Sequence, residues 1–280
     1  TSKKIEMSLQ SLLLYRELIE TEGFDVGFHQ NGSLSVYSTE HEFKKGKQES
    51  VMLNDFGISN MVMDQTDILD FEPTLSPIVK GGIFYDQDAH ITPDLFVKTL
   101  ADRIKSLGSS IQTGVAIKTI ETAGNRLTAI VTNKETYHPS EVVFAAGAWS
   151  GKLLKMLGIR LPVEPGKGYS ITTSTSIDMP KRPLMLVEGK VGVTPFDNAL
   201  RFAGTLELSG LNTEINHTRI GAIIDTVEKY MNLQVNQRNR EFWCGMRPMS
   251  PDGLPIIGRI KSFNNAIICS GHSTLGMTLA

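Results

Sequence analysis

Two neighbouring stretches constrain this chain most: Trp243-Cys-Gly-Met-Arg-Pro-Met-Ser-Pro-Asp-Gly-Leu-Pro-Ile-Ile-Gly258 and, after a short break, Ser270-Gly-His-Ser-Thr-Leu-Gly-Met-Thr-Leu-Ala280. Pro251-Asp252-Gly253 is turn chemistry. Leu254 to Ile257 reads as a short apolar strand, and Asn264-Asn265 turns into a second one, Ala266 to Cys269. A loop of small residues, Ser270 to Thr274, then leads into a helix-like segment from Leu275. Strand, Gly-rich turn and helix start in succession make backbone N–H groups converge on one point. That arrangement suits the negative charge of a phosphate or of a cofactor ring. Arg247 stands four residues after a tryptophan and just before a proline, so its guanidinium is expected in a partly apolar space, where its planar fork of donors matches a carboxylate. A structural arginine bonded to a backbone carbonyl or a core aspartate is the alternative, and spacing alone leaves it open.

Glu141-Val-Val-Phe-Ala-Ala-Gly-Ala-Trp-Ser150 is the second feature of weight. An apolar strand that ends in small residues lets a backbone approach a bound nucleotide closely, and Gly147 removes the Cβ that would block it. Taken alone, the same residues also describe a buried strand leading into a helix.

The pattern W-x-G-x-R-P-x-x-P-D-G-x-P-I-I-G, a strand, then G-H-x-T-L-G-x-T-x-A resembles the C-terminal flavin-binding segment of FAD-dependent amino-acid oxidoreductases. It is most similar to the D-amino acid dehydrogenase small subunit, with glycine oxidase and D-amino acid oxidase as more distant relatives. Residues 142–150 resemble the V-V-x-A-A-G-A-W-S segment of that family, and Gly204-Thr-Leu-Glu-Leu-Ser-Gly210 resembles a strand of its substrate domain. The resemblance implies an FAD cofactor held by Ala145, Ala146, Gly147 and Trp149 from one segment, and by Gly271, His272, Ser273, Thr274, Leu275 and Gly276 from the other. It also implies oxidation of a D-amino acid by hydride transfer from Cα to the flavin, giving an imine that water converts to a 2-oxo acid and ammonia. In that chemistry Arg247 would hold the substrate carboxylate. Tyr169, in a Lys-Gly-Tyr-Ser setting shared with the subfamily, would place a hydroxyl over the substrate or serve as a core tyrosine. His272 would tune the flavin or fix the loop. Backbone N–H groups from about Thr274 to Gly276 would face the charge that grows on the reduced ring. The electron acceptor would be a respiratory quinone or oxygen. A glycine- or sarcosine-type oxidase, a 2-hydroxy-acid oxidase and an inert amino-acid-binding fragment remain alternatives.

The 280 residues, 40% of them hydrophobic, can bury a sizeable core. With 28 Lys plus Arg against 30 Asp plus Glu and a formal charge of −2, the chain lacks the basic footprint of a nucleic-acid binder. No run approaches the roughly 18 apolar residues of a membrane span. Cys244 and Cys269 sit in apolar strand-like settings rather than at metal-ligand spacing, and His90 stands alone, so no metal site is expected. The expected location is the cytoplasm, with attachment to the surface of the inner membrane as the alternative.

From the start, residues 5–22 carry a helical period that stops at Gly23, and Phe24 to Tyr37 alternates around Asn31-Gly32, a hairpin signal. Glu40 to Asp55 and Asp64 to Glu72 read as helices and Gly81 to Tyr85 as a strand. The helix after Thr92-Pro93 is expected to reach Leu107-Gly108. Ser110 to Ile120, Arg126 to Thr132 and Glu135 to His138 read as three strands and Gly151 to Leu157 as a helix. Gly168 to Thr172, Leu184 to Val187, Val191 to Pro195 and Leu200 to Ala203 suggest a mostly antiparallel sheet, and Arg219 to Leu233 has helical spacing. The fold class expected is α/β (α+β), a partial doubly wound FAD-binding domain interleaved with a mostly antiparallel substrate domain. The divisions are a connecting helix at 1–23, substrate domain at 24–85 and 161–244, and FAD domain at 86–160 and 245–280. A G-x-G-x-x-G fingerprint with its following acidic residue is not in the sequence. The chain is therefore expected to be about two thirds of a longer flavoprotein and, by itself, to hold FAD weakly or not at all and to show no turnover.

Overall fold

The structure is a computed structural model that describes residues 2–174, 179–233, 235 and 240–279. In chain order these form α1 (Ser2–Glu22), β1 (Ser33–Tyr37), α2 (Glu40–Asp55), β2 (Met61–Asp64), α3 (Gln65–Phe71), β3 (Gly81–Tyr85) and α4 (Pro93–Ser106). There follow β4 (Ile117–Ala123), β5 (Arg126–Thr132), β6 (Thr136–Tyr137), β7 (Val142–Phe144), a 3-10 turn (Gly147–Trp149) and α5 (Ser150–Lys155). The remainder comprises β8 (Glu164–Ser174), β9 (Leu184–Leu186), β10 (Val191–Phe196), β11 (Ala199–Glu207), α6 (His217–Tyr230), β12 (Arg240–Met249), β13 (Ile256–Arg259) and β14 (Ala266–Ser270). The chain divides into two compact units. Unit 1 is Thr1–Thr99, Gly168–Leu206 and Thr213–Gly245; unit 2 is Leu100–Lys167, Glu207–Asn212 and Met246–Ala280.

Unit 1 is built on an eight-stranded sheet in the order β12-β8-β11-β10-β9-β1-β3-β2. Its alternation is legible in the burial: Val191 and Val193 on β10 and Leu200 and Phe202 on β11 turn inward. They meet Ile220, Ile223, Val227 and Tyr230 of α6, which recur at the spacing of one helix face. The Asn216 side chain caps that helix by accepting from the amides of Thr218 and Arg219.

The expected hairpin over 24–37 does not form. β1 pairs antiparallel with β3, Leu34 opposite Phe84, and parallel with β9, Leu34 opposite Leu184, so distant segments take both of its edges. Asn31-Gly32 is the entry to this inner strand. Gly32 has φ +77, a Cβ there would strike the Phe84 ring, and the Asn31 side-chain amide donates to the Lys181 carbonyl at 2.7 Å. Residues before β1 contribute an isolated bridge instead, in which His29 and His90 exchange backbone bonds of 2.9 Å in each direction.

A polar knot in the same unit joins three segments. Glu188 accepts from the Ser38 amide at 3.0 Å, from the Thr39 amide and hydroxyl at 2.9 Å each, and from the Tyr230 hydroxyl. Burial alone would raise the Glu188 carboxyl; these hydrogen bonds outweigh it and hold the group below the usual carboxylate range. A carboxyl depressed by folding adds stability above its ordinary value, and that stability drains away as pH falls through the folded value. Glu188→Gln is therefore expected to flatten the loss of urea stability between about pH 5 and pH 3. An unchanged slope in the variant would show that the knot does not carry the acid sensitivity.

Unit 2 contains two three-stranded sheets, β4-β5-β6 and β13-β14-β7. β4 begins only at Ile117, and the strand expected at 135–138 contracts to Thr136–Tyr137, so the first sheet is smaller than its sequence pattern suggests. Ile120 and Leu127 from it, Val142 and Phe144 from β7, and Ala266 and Ile268 from β14 share one core with Leu154 and Ile260. Asn265, 3% exposed, clasps the two sheets. Its oxygen accepts from the Leu127 amide at 2.9 Å, and its nitrogen donates to the carbonyls of Leu127 at 3.0 Å and Ser140 at 3.3 Å.

Candidate active site

β7 and β14 lie parallel, Val142 opposite Ala266 and Phe144 opposite Ile268, so their C-terminal ends emerge side by side. In open α/β sheets, ligands bind outside such ends. Past β7, Ala145 and Ala146 lead to Gly147; past β14, the Ser270 hydroxyl donates to the Gly147 carbonyl at 2.9 Å, which makes Gly147 and Gly271 neighbours. Gly147 has φ +54, and no atom lies within 4 Å of where its Cβ would stand. This is left-handed backbone facing open space, which glycine adopts at little steric cost. Trp149 is 45% exposed beside it. The Ser150 hydroxyl is fully buried and has no hydrogen-bond partner among the described residues.

The second segment is laced to the end of β12. Met249 and His272 form an antiparallel bridge, the Ser273 amide donates to the Pro248 carbonyl at 2.9 Å, and the Ser250 amide donates to the Ser273 hydroxyl at 3.3 Å. Arg247, the residue before Pro248, is thus carried to the loop of residues 271–276 by the backbone. Gly271 has φ +81, and its Cβ position is closed in by Ile256 and Ser250 at 3.3–3.4 Å, so glycine is needed there both for conformation and for space. Pro251-Asp252-Gly253 forms the expected turn, with the Leu254 amide bonded to the Asp252 carboxylate at 3.0 Å.

The helix expected from Leu275 is not assigned; turns run through residues 276–279, with one helical bond from the Leu279 amide to the Leu275 carbonyl. A single turn fixes several residues for one bond and is costly without propagation. The Leu275 amide is itself spent on the His272 carbonyl at 2.9 Å, which leaves Thr274 and Gly276 as the loop amides without a partner among the described residues. Burial pushes the His272 imidazole below its ordinary value, so it is neutral at pH 7, and burial likewise lowers the Arg247 guanidinium from its usual value. An arginine so lowered is still a cation at that pH.

Tyr169 belongs to unit 1, where it is 1% exposed in the core. The sequence assigns no side-chain role to Ser150, Ser250 or Ser270, because serines beside turns and small residues carry no pattern that sets them apart. Cys244 and Cys269 are free thiols, each half-buried. Among the described residues no group of three or more His, Cys, Asp or Glu is placed to hold a metal, and no helix is long and apolar enough to cross a membrane.

Parallel strands ending in small residues, with a glycine loop beside them, define a protein of the dinucleotide-cofactor class. The chain belongs to the FAD dependent oxidoreductase (DAO) family, whose profile matches residues 1–280. A D-amino acid dehydrogenase of Dechloromonas aromatica is 30% identical over 287 residues, covering 99% of this chain and 68% of the relative. One from Azorhizobium caulinodans is 31% identical over 255 residues, covering 89% of this chain and 61% of the relative. Among solved structures, glycine oxidase from Bacillus cereus superposes with a TM-score of 0.89 at 22% identity, over 98% of this chain and 76% of that one. The chain thus spans 61–68% of the length of these two curated relatives.

The residues present fit FAD in part. The open space at Gly147 and the unpartnered amides of Thr274 and Gly276 suit a close, electron-rich group. On the outer face of the mixed β13-β14-β7 sheet, Val143 is 57% and Ile257 60% exposed.

Proposed function

We propose that this chain supplies substrate and flavin contacts for the oxidation of D-amino acids to 2-oxo acids and ammonia. The observation that carries the reading is the lacing of residues 248–250 to residues 272–273, which brings the strand of Arg247 to the loop of the family's flavin segment. The D-amino acid dehydrogenase relatives support the substrate class.

When bound, FAD supplies the two-electron acceptor. Arg247 holds the substrate carboxylate through its planar donor fork, and its partial burial strengthens that pairing. The amides of Thr274 and Gly276 would hold an electron-rich part of FAD, from backbone positions that need no rearrangement. His272 stays neutral beside them and adds no competing charge. A respiratory quinone or oxygen takes the electrons onward.

The test is an FAD titration of this chain by fluorescence and, on the longer flavoprotein expected from the sequence, ammonia release from paired D- and L-amino acids with an artificial electron acceptor. Binding is expected to be weak, since these residues include no G-x-G-x-x-G cradle. Ammonia is expected from the D enantiomers only; equal rates with the L enantiomers would defeat the reading.

Gly147→Val checks the cofactor half separately. A branched side chain there must adopt a left-handed backbone and fill the space assigned to FAD, so FAD affinity is expected to fall about tenfold or more. Unaltered affinity would move the cofactor away from the end of β7.

A further inference from the structure

We propose that Ser273 is a positioning residue, whose side chain holds the segment following Arg247 against the loop of Gly271 to Gly276 and so fixes the arginine relative to the open amides of Thr274 and Gly276. The inference rests on the flavin and carboxylate reading above and gives this serine a task other than direct contact with FAD.

Ser273 has φ +53, a conformation uncommon for residues with a Cβ. The same loop uses glycine for left-handed backbone two residues earlier, at Gly271. Glycine would be the easier choice at 273 as well, so a serine there is explained only by work for its side chain. The side chain turns inward, to β12. Its oxygen accepts the Ser250 amide at 3.3 Å and lies 3.5 Å from the Ser250 hydroxyl. Ser250 is 8% exposed, so losing that oxygen takes a hydrogen-bond acceptor from an amide in a largely buried place. The Ser273 amide meanwhile holds Pro248, and His272 bridges Met249. Three consecutive residues after Arg247 are therefore held by two consecutive residues of the loop, and the Ser273 oxygen closes the set.

Ser273→Gly removes the hydroxyl while favouring the observed backbone; Ser273→Ala removes it while keeping the Cβ. Hydrogen exchange on the chain without cofactor reads the clasp. In both variants the Ser250 amide is expected to exchange about tenfold faster or more. The His272 imidazole, followed by NMR, is expected to titrate nearer its ordinary value as the loop loosens. In the flavin-loaded protein, KM for a D-amino acid is expected to rise about tenfold with a smaller change in kcat, while the uncharged amide substrate is little affected. Unchanged exchange at Ser250, or faster exchange in the glycine variant alone, would overturn the clasp. Faster exchange with unchanged kinetics on the acid would overturn the positioning role. Failure of the flavin reading looks different: the wild-type longer flavoprotein would then not favour the acid over its uncharged amide, whatever the exchange shows.

Discussion

In the longer flavoprotein expected from the sequence, replacing Arg247 by alanine is expected to lower kcat/KM for a D-amino acid by roughly 30-fold to several thousand-fold, the equivalent of about 2–5 kcal/mol of lost charge pairing in a dry site. Lysine is expected to restore only part of this, since it offers a point charge without the fork that meets both carboxylate oxygens. The contrast that isolates the role is between the acid and its uncharged amide. If the guanidinium holds the carboxylate, the variants lose the preference for the acid and keep most of their activity on the amide. If Arg247 is structural, melting temperature and flavin content fall, while the remaining folded protein prefers the acid as strongly as before. The second result would remove the substrate role. Burial of the guanidinium is compatible with either outcome; the backbone lacing of residues 248–250 to the flavin-segment loop is what favours the first.

Asn265→Ala is expected to cost about 3 kcal/mol of unit 2 stability. Leu127 is 0% exposed, and the variant leaves both its amide and its carbonyl without the Asn265 partners. Asn265→Asp tests the assignment, because it keeps an acceptor for the Leu127 amide but turns a second oxygen toward the carbonyls of Leu127 and Ser140. It is expected to be no better than alanine. The two tryptophans make the measurement local. Trp149 lies in unit 2 and Trp243 in unit 1, so urea unfolding followed by Trp149 fluorescence in a Trp243→Phe background reads the affected unit. A change in unfolding free energy below about 0.5 kcal/mol would place Asn265 among ordinary surface substitutions and end the clasp interpretation.

The elements that were legible in the sequence are those whose pattern is local. The helices over 40–55 and 217–230 show period and caps, β7 and β14 show an apolar run with turn residues on either side, and Gly23 stops α1 at φ +65. The site was legible where chemistry demands residue types: small residues at 145–147, a glycine at 271, an arginine at 247. What escaped depends on partners far away in the chain. Asn31-Gly32 has the composition of a hairpin turn, yet its neighbour β1 is claimed by β3 and β9, and tertiary pairing overrides a local turn preference. The segment after Leu275 has apolar residues at helical spacing but achieves one helical bond. The Ser250 to Ser273 contact joins two ordinary serines, and nothing in either neighbourhood announces the other.

The pairing of Leu34 with Leu184 also sets a timetable. β1 lies between β3 and β9, and β9 is made 150 residues later. At roughly 5–20 residues per second of synthesis, β1 waits on the order of 5–20 s with one edge open after β3 has joined it. Of these two units, the one whose synthesis starts earlier is consequently finished late. Its most exposed moment falls while residues 100–167 of the other unit are being made, and any slowing of translation across that stretch lengthens the interval in which an unpaired strand edge can find the wrong neighbour.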